Sequence, residues 1–582
     1  MHRRPGELRV GRDGPALSRV GIGYPARACS VRVGYDSACL TLGVEHACGL
    51  RRGVRRSGAM ARPRVCAQRA RPRARERGLT RFGGQRWNPT SWALAWRRSL
   101  PSYVVSRRPL WLFNTLRREV SAFEPRHPPD VRLYSCGPTV YADQHIGNMR
   151  AYVFADTLKR TLRWKGYRVH HVINITDVGH LTSDADVGDD KLELAARREH
   201  RSIWEIAEHY TEAFKRDLAR LRVGEPDLWP KATDHVPQMI AFAEALDRAG
   251  WCYRLPSGLY FDTSRDDDYG KLARLDVAGQ LEGARVEAVE GKRNASDFAV
   301  WRTTDPGEQR QMGWDSPWGR GAPGWHLECS VMSIEHLGRH FDIHTGGVDH
   351  IPIHHTNEIA QSEAYLDDGE EWVRWWAHGE FINLKGAKIS KSTGGGVLVD
   401  DLVNRGYHPL VYRYLLLQAH YRSQIGFSWE AMDSARTGLR RLLERYAAAR
   451  VAPGAVPSGA ARAHLDAFDA AMSDDLNSAK ALATVAAASR DDALSDGDVS
   501  ALAAAFDAVL AIGLTDLSAA DLDLKRVDVD VRDADIDALM AERNSARVAR
   551  NFARSDDLRD HLAQLGVIVE DHADGTSSWR WD

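Results

Sequence analysis

Apolar residues recur along this chain with two periods, and the changes of period mark its elements. Val131 to Tyr134 is a short apolar run that predicts a strand. Met149 to Leu162 has helical spacing, so Cys136 to Asn148 between them predicts a strand–turn–helix crossover with Gly and Pro in the turn. Val169 to Asn174 predicts the next strand, ending in the polar Asn174-Ile175-Thr176-Asp177, and the Asp- and Gly-rich stretch 179–190 predicts a surface loop. Leu192 to Leu221 predicts one amphipathic helix and Ile240 to Ala249 another. Leu259 to Asp262 opens a Gly-, Asp- and Arg-rich region to about Gly324, within which Trp301 and the Trp314 to Trp318 stretch are expected to rejoin the main sheet. His340 to His344 and Phe381 to Leu384 read as strands, with a helix from His354 to Tyr365 between them.

Beyond Asp400 the pattern is helical: Tyr412 to Leu417, Ala431 to Tyr446, Leu465 to Ala488, Val499 to Ile512, and a pair around Asp535 to Leu565 before Val567 to Asp571. The Ala/Pro/Gly stretch Ala448 to Gly459 reads as a linker. The whole predicts an α/β, doubly wound domain, then a helical bundle, then a small terminal module.

Charge changes this picture at one end. The net charge is zero, but residues 1–100 hold 22 Arg, no Lys and 5 acidic residues, which leaves the remaining 482 at −17. The leader lacks an apolar core pattern and an h-region, so it is expected to be largely disordered and is no secretory signal. Three readings of it stand: translation from a wrongly chosen start codon, a basic tail that helps hold RNA, or an organellar transit peptide. The seven Cys lack CxxC spacing, which points to a reducing compartment rather than a disulfide framework. No stretch is long and apolar enough to span a membrane.

Candidate chemistry gathers in three places. The crossover presents backbone N–H groups at a helix start, a ready site for phosphate, with His145 and Asn148 both able to reach a nucleotide. His354 and Glu358 are four apart, on one face of a helix, as two metal ligands often are. Lys388-Ile389-Ser390-Lys391-Ser392 places two lysines in a Gly-bounded loop. From residue types alone each has a plain alternative: an ordinary βα turn, scattered core Cys and His, and a solvated loop.

Together the stretches resemble a known family. Cys136 to Asn148, reading CGPTVYADQHIGN, resembles the HIGH motif of class I aminoacyl-tRNA synthetases in its cysteinyl form, and Lys388 to Ser392 resembles their KMSKS loop with Ile for Met. The resemblance runs from about residue 112 to the end. It implies zinc ligands at Cys136, Cys329, His354 and Glu358. His355, about 100° round the same helix, is left out of that set. It further implies ATP contacts at Gly137, His145, Gly147, Asn148 and Lys391, catalytic roles for His145, Asn148, Lys388 and Lys391, and amino-acid contacts at Thr176, Trp325 and His344. Thr393-Gly394-Gly395-Gly396 stands where the family commonly has Gly-Asn, which leaves the loop's ATP contacts open.

The implied reaction is cysteine activation by ATP with Mg2+, then transfer to the 3′ end of tRNA(Cys), by a cytoplasmic monomer. The implied parts are an extension at 1–108, a catalytic domain at 109–400 with its insertion at about 235–322, a stem-contact region at 401–450, an anticodon-binding bundle at 451–525 and a terminal module at 526–582. Arg436, Arg440, Arg441 and Arg445 form a helical stripe that either touches tRNA or faces solvent. Ser578 to Trp581 either stacks on anticodon bases or closes the last module. Two other functions compete: a ligase passing activated cysteine to an amino sugar, disfavoured by the long helical C-terminus, and an inactive RNA-binding paralogue, disfavoured by the intact ATP and zinc motifs.

Overall fold

A computed structural model describes residues 108–179, 190–274, 291–304, 311–383, 396–450, 457–524, 533–572 and 576–581. The basic leader, most of the 179–190 loop, and Lys388 and Lys391 with their motif lie outside the described residues.

The first described elements are an antiparallel pair, β1 (Trp111–Asn114) and β2 (Glu119–Ala122). Strand β3 (Asp130–Ser135) then leads through the turn into helix α1 (Ile146–Trp164), and strand β4 (Arg168–Ile173) follows. The sequence reading made Leu192 to Leu221 one helix. It is two, α2 (Lys191–Glu199) and α3 (Ile203–Arg220), because His200 turns left-handed at φ 54° and Ser202 opens a new capping box with Glu205.

After α4 (Val236–Arg248) come β5 (Cys252–Leu255), β6 (Gly258–Phe261), β7 (Phe298–Thr303) and β8 (Gly321–Pro323), which form their own antiparallel sheet in that order. Trp301 therefore does not rejoin the main sheet: it lies on β7, between β6 and β8, while Trp314 bridges Gly321. The insertion sheet packs its Phe298 and Trp301 into the same apolar cluster as Tyr134, Cys136 and Cys329.

Helix α5 (Trp325–Leu337), β9 (Phe341–Gly347), helix α6 (His354–Leu366) and β10 (Val373–Gly379) complete the nucleotide fold. The main sheet is parallel throughout, in the order β10-β9-β3-β4. Its inner strands β9 and β3 are largely buried, as parallel strands covered by helices are. A short pair, β11 (Ile382–Asn383) with β12 (Ile425–Gly426), lies beyond.

The helical region follows: α7 (Val399–Asn404), α8 (Pro409–Leu417), α9 (Trp429–Ala448), α10 (Gly459–Ser473), α11 (Ser478–Ala488) and α12 (Asp496–Leu510). Leu465 to Ala488, read as one helix, is broken where Asp475 and Leu476 adopt φ 51° and 55°. The terminal module pairs α13 (Asp533–Val548) and α14 (Phe552–Gln564) with the hairpin β13 (Val567–Asp571) and β14 (Ser577–Trp581) around Ile536, Met540, Leu562, Val567 and Val569.

One buried ionic hub joins the nucleotide fold to the bundle. Asp156 on α1 takes hydrogen bonds from Arg160 Nε and Arg413 Nη2, each at 2.6 Å, and from the Gly224 N–H. Arg413 also donates to the carbonyls of Leu221, Arg222 and Leu510. Burial alone would push the Asp156 carboxyl up, but Arg160 and Arg413 outweigh it and bring it to about 2, from 3.8. A carboxyl held below its unfolded value stabilises the fold above about pH 4, and that contribution, about 2 kcal/mol, is lost as pH falls through about 2. Asp156→Ala should cost about 3–5 kcal/mol at neutral pH, read by thermal denaturation, because it strands two buried guanidinium groups. A drop within 1 kcal/mol of zero would rule out the hub.

Candidate metal and nucleotide site

The turn that leaves β3 carries the site at both ends. At its start Cys136 is buried, and the chain runs so close to the end of β4 that a Cβ at residue 137 would lie 1.6 Å from the Asn174 carbonyl oxygen; only Gly137 fits. At its end His145 caps α1, its Nδ1 accepting the Asn148 N–H at 3.2 Å. Gly147 is required there too, since a Cβ would meet the His145 ring at 2.9 Å. His145 and Asn148 are both exposed at the helix start, open to an anionic ligand.

Two helix N-terminal regions complete the metal side. Cys329 lies on α5, and His354 and Glu358 lie on the first turns of α6. The ligand atoms of Cys136, Cys329, His354 and Glu358 all lie within 4.8 Å of one another, and all four residues are buried. Cys136 Sγ is 3.9 Å from Cys329 Sγ and 3.8 Å from Glu358 Oε1, while His354 Nε2 is 2.7 Å from Glu358 Oε1. Two thiols, an imidazole and a carboxylate closed off from water fit a divalent cation.

The protonation balance follows from these contacts. The Cys136 thiol beside it draws Cys329 down to about 7 despite burial, whereas burial and the neighbouring Cys329 hold Cys136 well above its ordinary value. Burial would raise Glu358, but His344 and His354 keep it well below the carboxylate range. Burial works against the charge on His354, yet Glu358 and Cys329 lift it to about 10. The pocket is thus a cluster of groups held ready to trade protons for a metal.

His355 stands outside that set of four but does not point away from it: its Nε2 is 3.2 Å from Cys136 Sγ, and Cys136, His344, His355 and Glu358 form an overlapping candidate set. The site borders the end of α6 rather than one side of it, so residues 100° apart both reach it. His355 Nδ1 continues to His378 Nε2 at 2.7 Å, and His378 Nδ1 to Thr115 Oγ1 at 2.8 Å. His326 Nδ1 lies 3.1 Å from His354 Nδ1. The sequence reading missed His326, His355 and His378 as supports; the signal was the crowding of His between 326 and 378.

The expected amino-acid contacts gather here as well. Trp325, half-buried, lies with its ring 4.4 Å from that of His354. His344 is fully buried, stacked on Trp376 and 2.9 Å from Glu358 Oε2, which makes it a support of the carboxylate. Thr176 is buried beside the turn, its N–H donating to Pro138 O and its carbonyl accepting from Val140.

The bundle residues are tied within the chain. Arg436 is buried against Asp433 and the Tyr407 ring, Arg440 pairs with Asp523, and Arg445 with Asp496; Arg441 is exposed. Trp579 packs into the terminal module with its Nε1 on Asp537. Among the described residues no helix is long and apolar enough to cross a membrane.

Comparison with known proteins gives the family. Residues 122–437 match the family model for the class I (C) tRNA synthetase catalytic domain, and residues 532–580 that for the cysteinyl-tRNA ligase anticodon-binding domain. A cysteine–tRNA ligase of Novosphingobium aromaticivorans is 52% identical over 83% of this chain and 98% of its own length. One from Thermus thermophilus is 41% identical over 81% and 99%. A methionyl-tRNA synthetase of Mycobacterium tuberculosis with methionyl-adenylate aligns at a TM-score of 0.46 and 16% identity, over 65% of this chain and 89% of that one. Two matched domains, placed in order along one chain, and full-length relatives at this identity leave one assignment: the chain belongs to the cysteine–tRNA ligase family of class I aminoacyl-tRNA synthetases.

Proposed function

We propose that this protein activates L-cysteine with ATP to cysteinyl-adenylate and passes the cysteine to the 3′ end of tRNA(Cys), as a cytoplasmic monomer. The buried Cys136–Cys329–His354–Glu358 set, whose Cys136 begins the same turn that ends in His145 and Asn148, carries the reading. Its two sulfur, one nitrogen and one oxygen donors suit zinc above the hard cations. A zinc ion held there supplies a soft Lewis acid that binds a thiolate far better than an alcohol.

The chain's own residues do the rest. Trp325, His344 and Thr176 bound the amino acid. Gly137 and Gly147 let the backbone approach the nucleotide, which enters as its Mg2+ complex, and His145 and Asn148 bind it from the helix start. Lys388 and Lys391 stabilise the departing pyrophosphate. Catalysis falls to residues 109–400, while 401–450 meets the tRNA stem and 451–525 and 526–582 its anticodon arm.

Aminoacylation of unfractionated tRNA with labelled cysteine, alongside elemental analysis, tests this. Charging of one tRNA species and about one zinc per chain are expected. Cysteine-dependent pyrophosphate exchange without charging would instead point to a different acceptor, and absence of both would overturn the reading.

A further inference from the structure

We infer that Asn174 is a positioning residue that locks the metal side of the site to its nucleotide side, an inference that rests on the function proposed above. Asn174 is fully buried just past β4. Its Oδ1 accepts the Gly137 N–H at 2.7 Å, and its Nδ2 donates to Thr176 Oγ1 at 3.0 Å.

The polarity of this pair is forced. A backbone N–H can only donate, so the amide oxygen must face Gly137 and the amide nitrogen Thr176. The Thr176 hydroxyl then accepts from Asn174 and keeps its own proton to donate. Asn174 Oδ1 also lies 3.9 Å from the Sγ of Cys329, on α5. One carboxamide thus connects the turn after Cys136, the strand end carrying Thr176, and the helix carrying Cys329.

The backbone relies on the same register. Thr176 exchanges hydrogen bonds with Pro138 and Val140, so the side chain that fixes Thr176 also fixes the turn running on to His145. Asn is the residue of this length that offers an acceptor and a donor at one tip. Asp keeps the acceptor for Gly137 but loses the donor to Thr176, and Ala loses both.

The experiment begins with wild-type protein, measured for cysteine-dependent pyrophosphate exchange and zinc. If neither is present, the proposed function fails and Asn174 is not at issue. With both present, Asn174→Asp should keep its zinc and its circular dichroism spectrum. Its KM for ATP and for cysteine should rise, and kcat/KM should fall by about ten- to a hundredfold, the usual cost of removing a support of a ligand shell. Asn174→Ala should fall further, and the Asp variant carries the test if the Ala variant does not fold. Thr176→Val should cost clearly less in the Asn174→Asp background than in wild type, since residues acting as a unit are not additive. A lower melting temperature with unchanged KM values, zinc loss with unchanged KM values in the remaining active fraction, or losses that simply multiply would each overturn the inference.

Discussion

In a Lys391→Ala variant, cysteine-dependent pyrophosphate exchange is expected to fall by on the order of 10²–10³ while tRNA binding stays nearly unchanged. The leaving pyrophosphate develops negative charge as the α-phosphate is attacked, and a positioned cation acts on that charge in the transition state. The chain around the lysine motif bears on where that cation would act. Before it, the Phe381 carbonyl is held by Arg150 of α1; after it, the Val397 carbonyl accepts the Ile146 N–H at 2.8 Å and Leu398 bridges His145. Both flanks are therefore fastened to the helix whose start is the His145–Asn148 turn. Tyr412 adds a third tie, its hydroxyl donating to the Ile146 carbonyl. The tRNA-facing regions proposed here lie beyond residue 400, so the loss should fall on the first step. Exchange at the wild-type rate would remove the Lys-Ile-Ser-Lys-Ser segment from the mechanism.

Cys329→Ala should lose the bound zinc, and with it cysteine-over-serine discrimination should collapse to the roughly 10–200-fold that pocket shape supplies between near-isosteres. Cysteine and serine differ by a sulfur for an oxygen, so apolar walls such as Trp325 have little with which to separate them. A metal with an open position distinguishes them by bonding preference instead. Cys329 Sγ lies 3.9 Å from Cys136 Sγ within the buried set of four, so its loss leaves three donors. Zinc by elemental analysis and exchange rates with each amino acid give the two readouts. Full zinc in the variant would place the ligands elsewhere, with the overlapping Cys136, His344, His355 and Glu358 set the first alternative.

The elements that the sequence declared well were those with a local cause. His354 and Glu358 share a helix face by spacing alone, and the turn from Cys136 to Asn148 announces itself through glycines that the Asn174 carbonyl and the His145 ring require. Partners set by tertiary structure were harder. Val373 to Gly379 escaped notice as a strand because a strand buried on both faces shows no alternation, and its Trp375, Trp376 and His378 resemble no strand period. Trp301 was assigned to the wrong sheet because strand propensity carries no information about which neighbour a strand pairs with. The breaks at His200 and at Asp475-Leu476 fall on residues other than Gly or Pro, while the apolar spacing continues across them. His355 reaches Cys136 although the helix angle turns it aside, because a helical wheel describes the side of a helix and not its end.

The Arg413 hub gives the folding of this enzyme a different boundary from its chemistry. The residues proposed for adenylation all precede Gly396, yet Asp156, in the middle of the helix that starts at His145, is neutralised partly by a guanidinium from α8, which is itself anchored on the last carbonyl of α12. A chain cut between the two proposed regions would leave a carboxylate in an apolar interior with half its counter-charge. The minimal cooperative unit therefore extends through Leu510. Catalytic and bundle segments should melt in a single calorimetric transition, and an excised activation domain would have to be redesigned at Asp156 before it could stand alone.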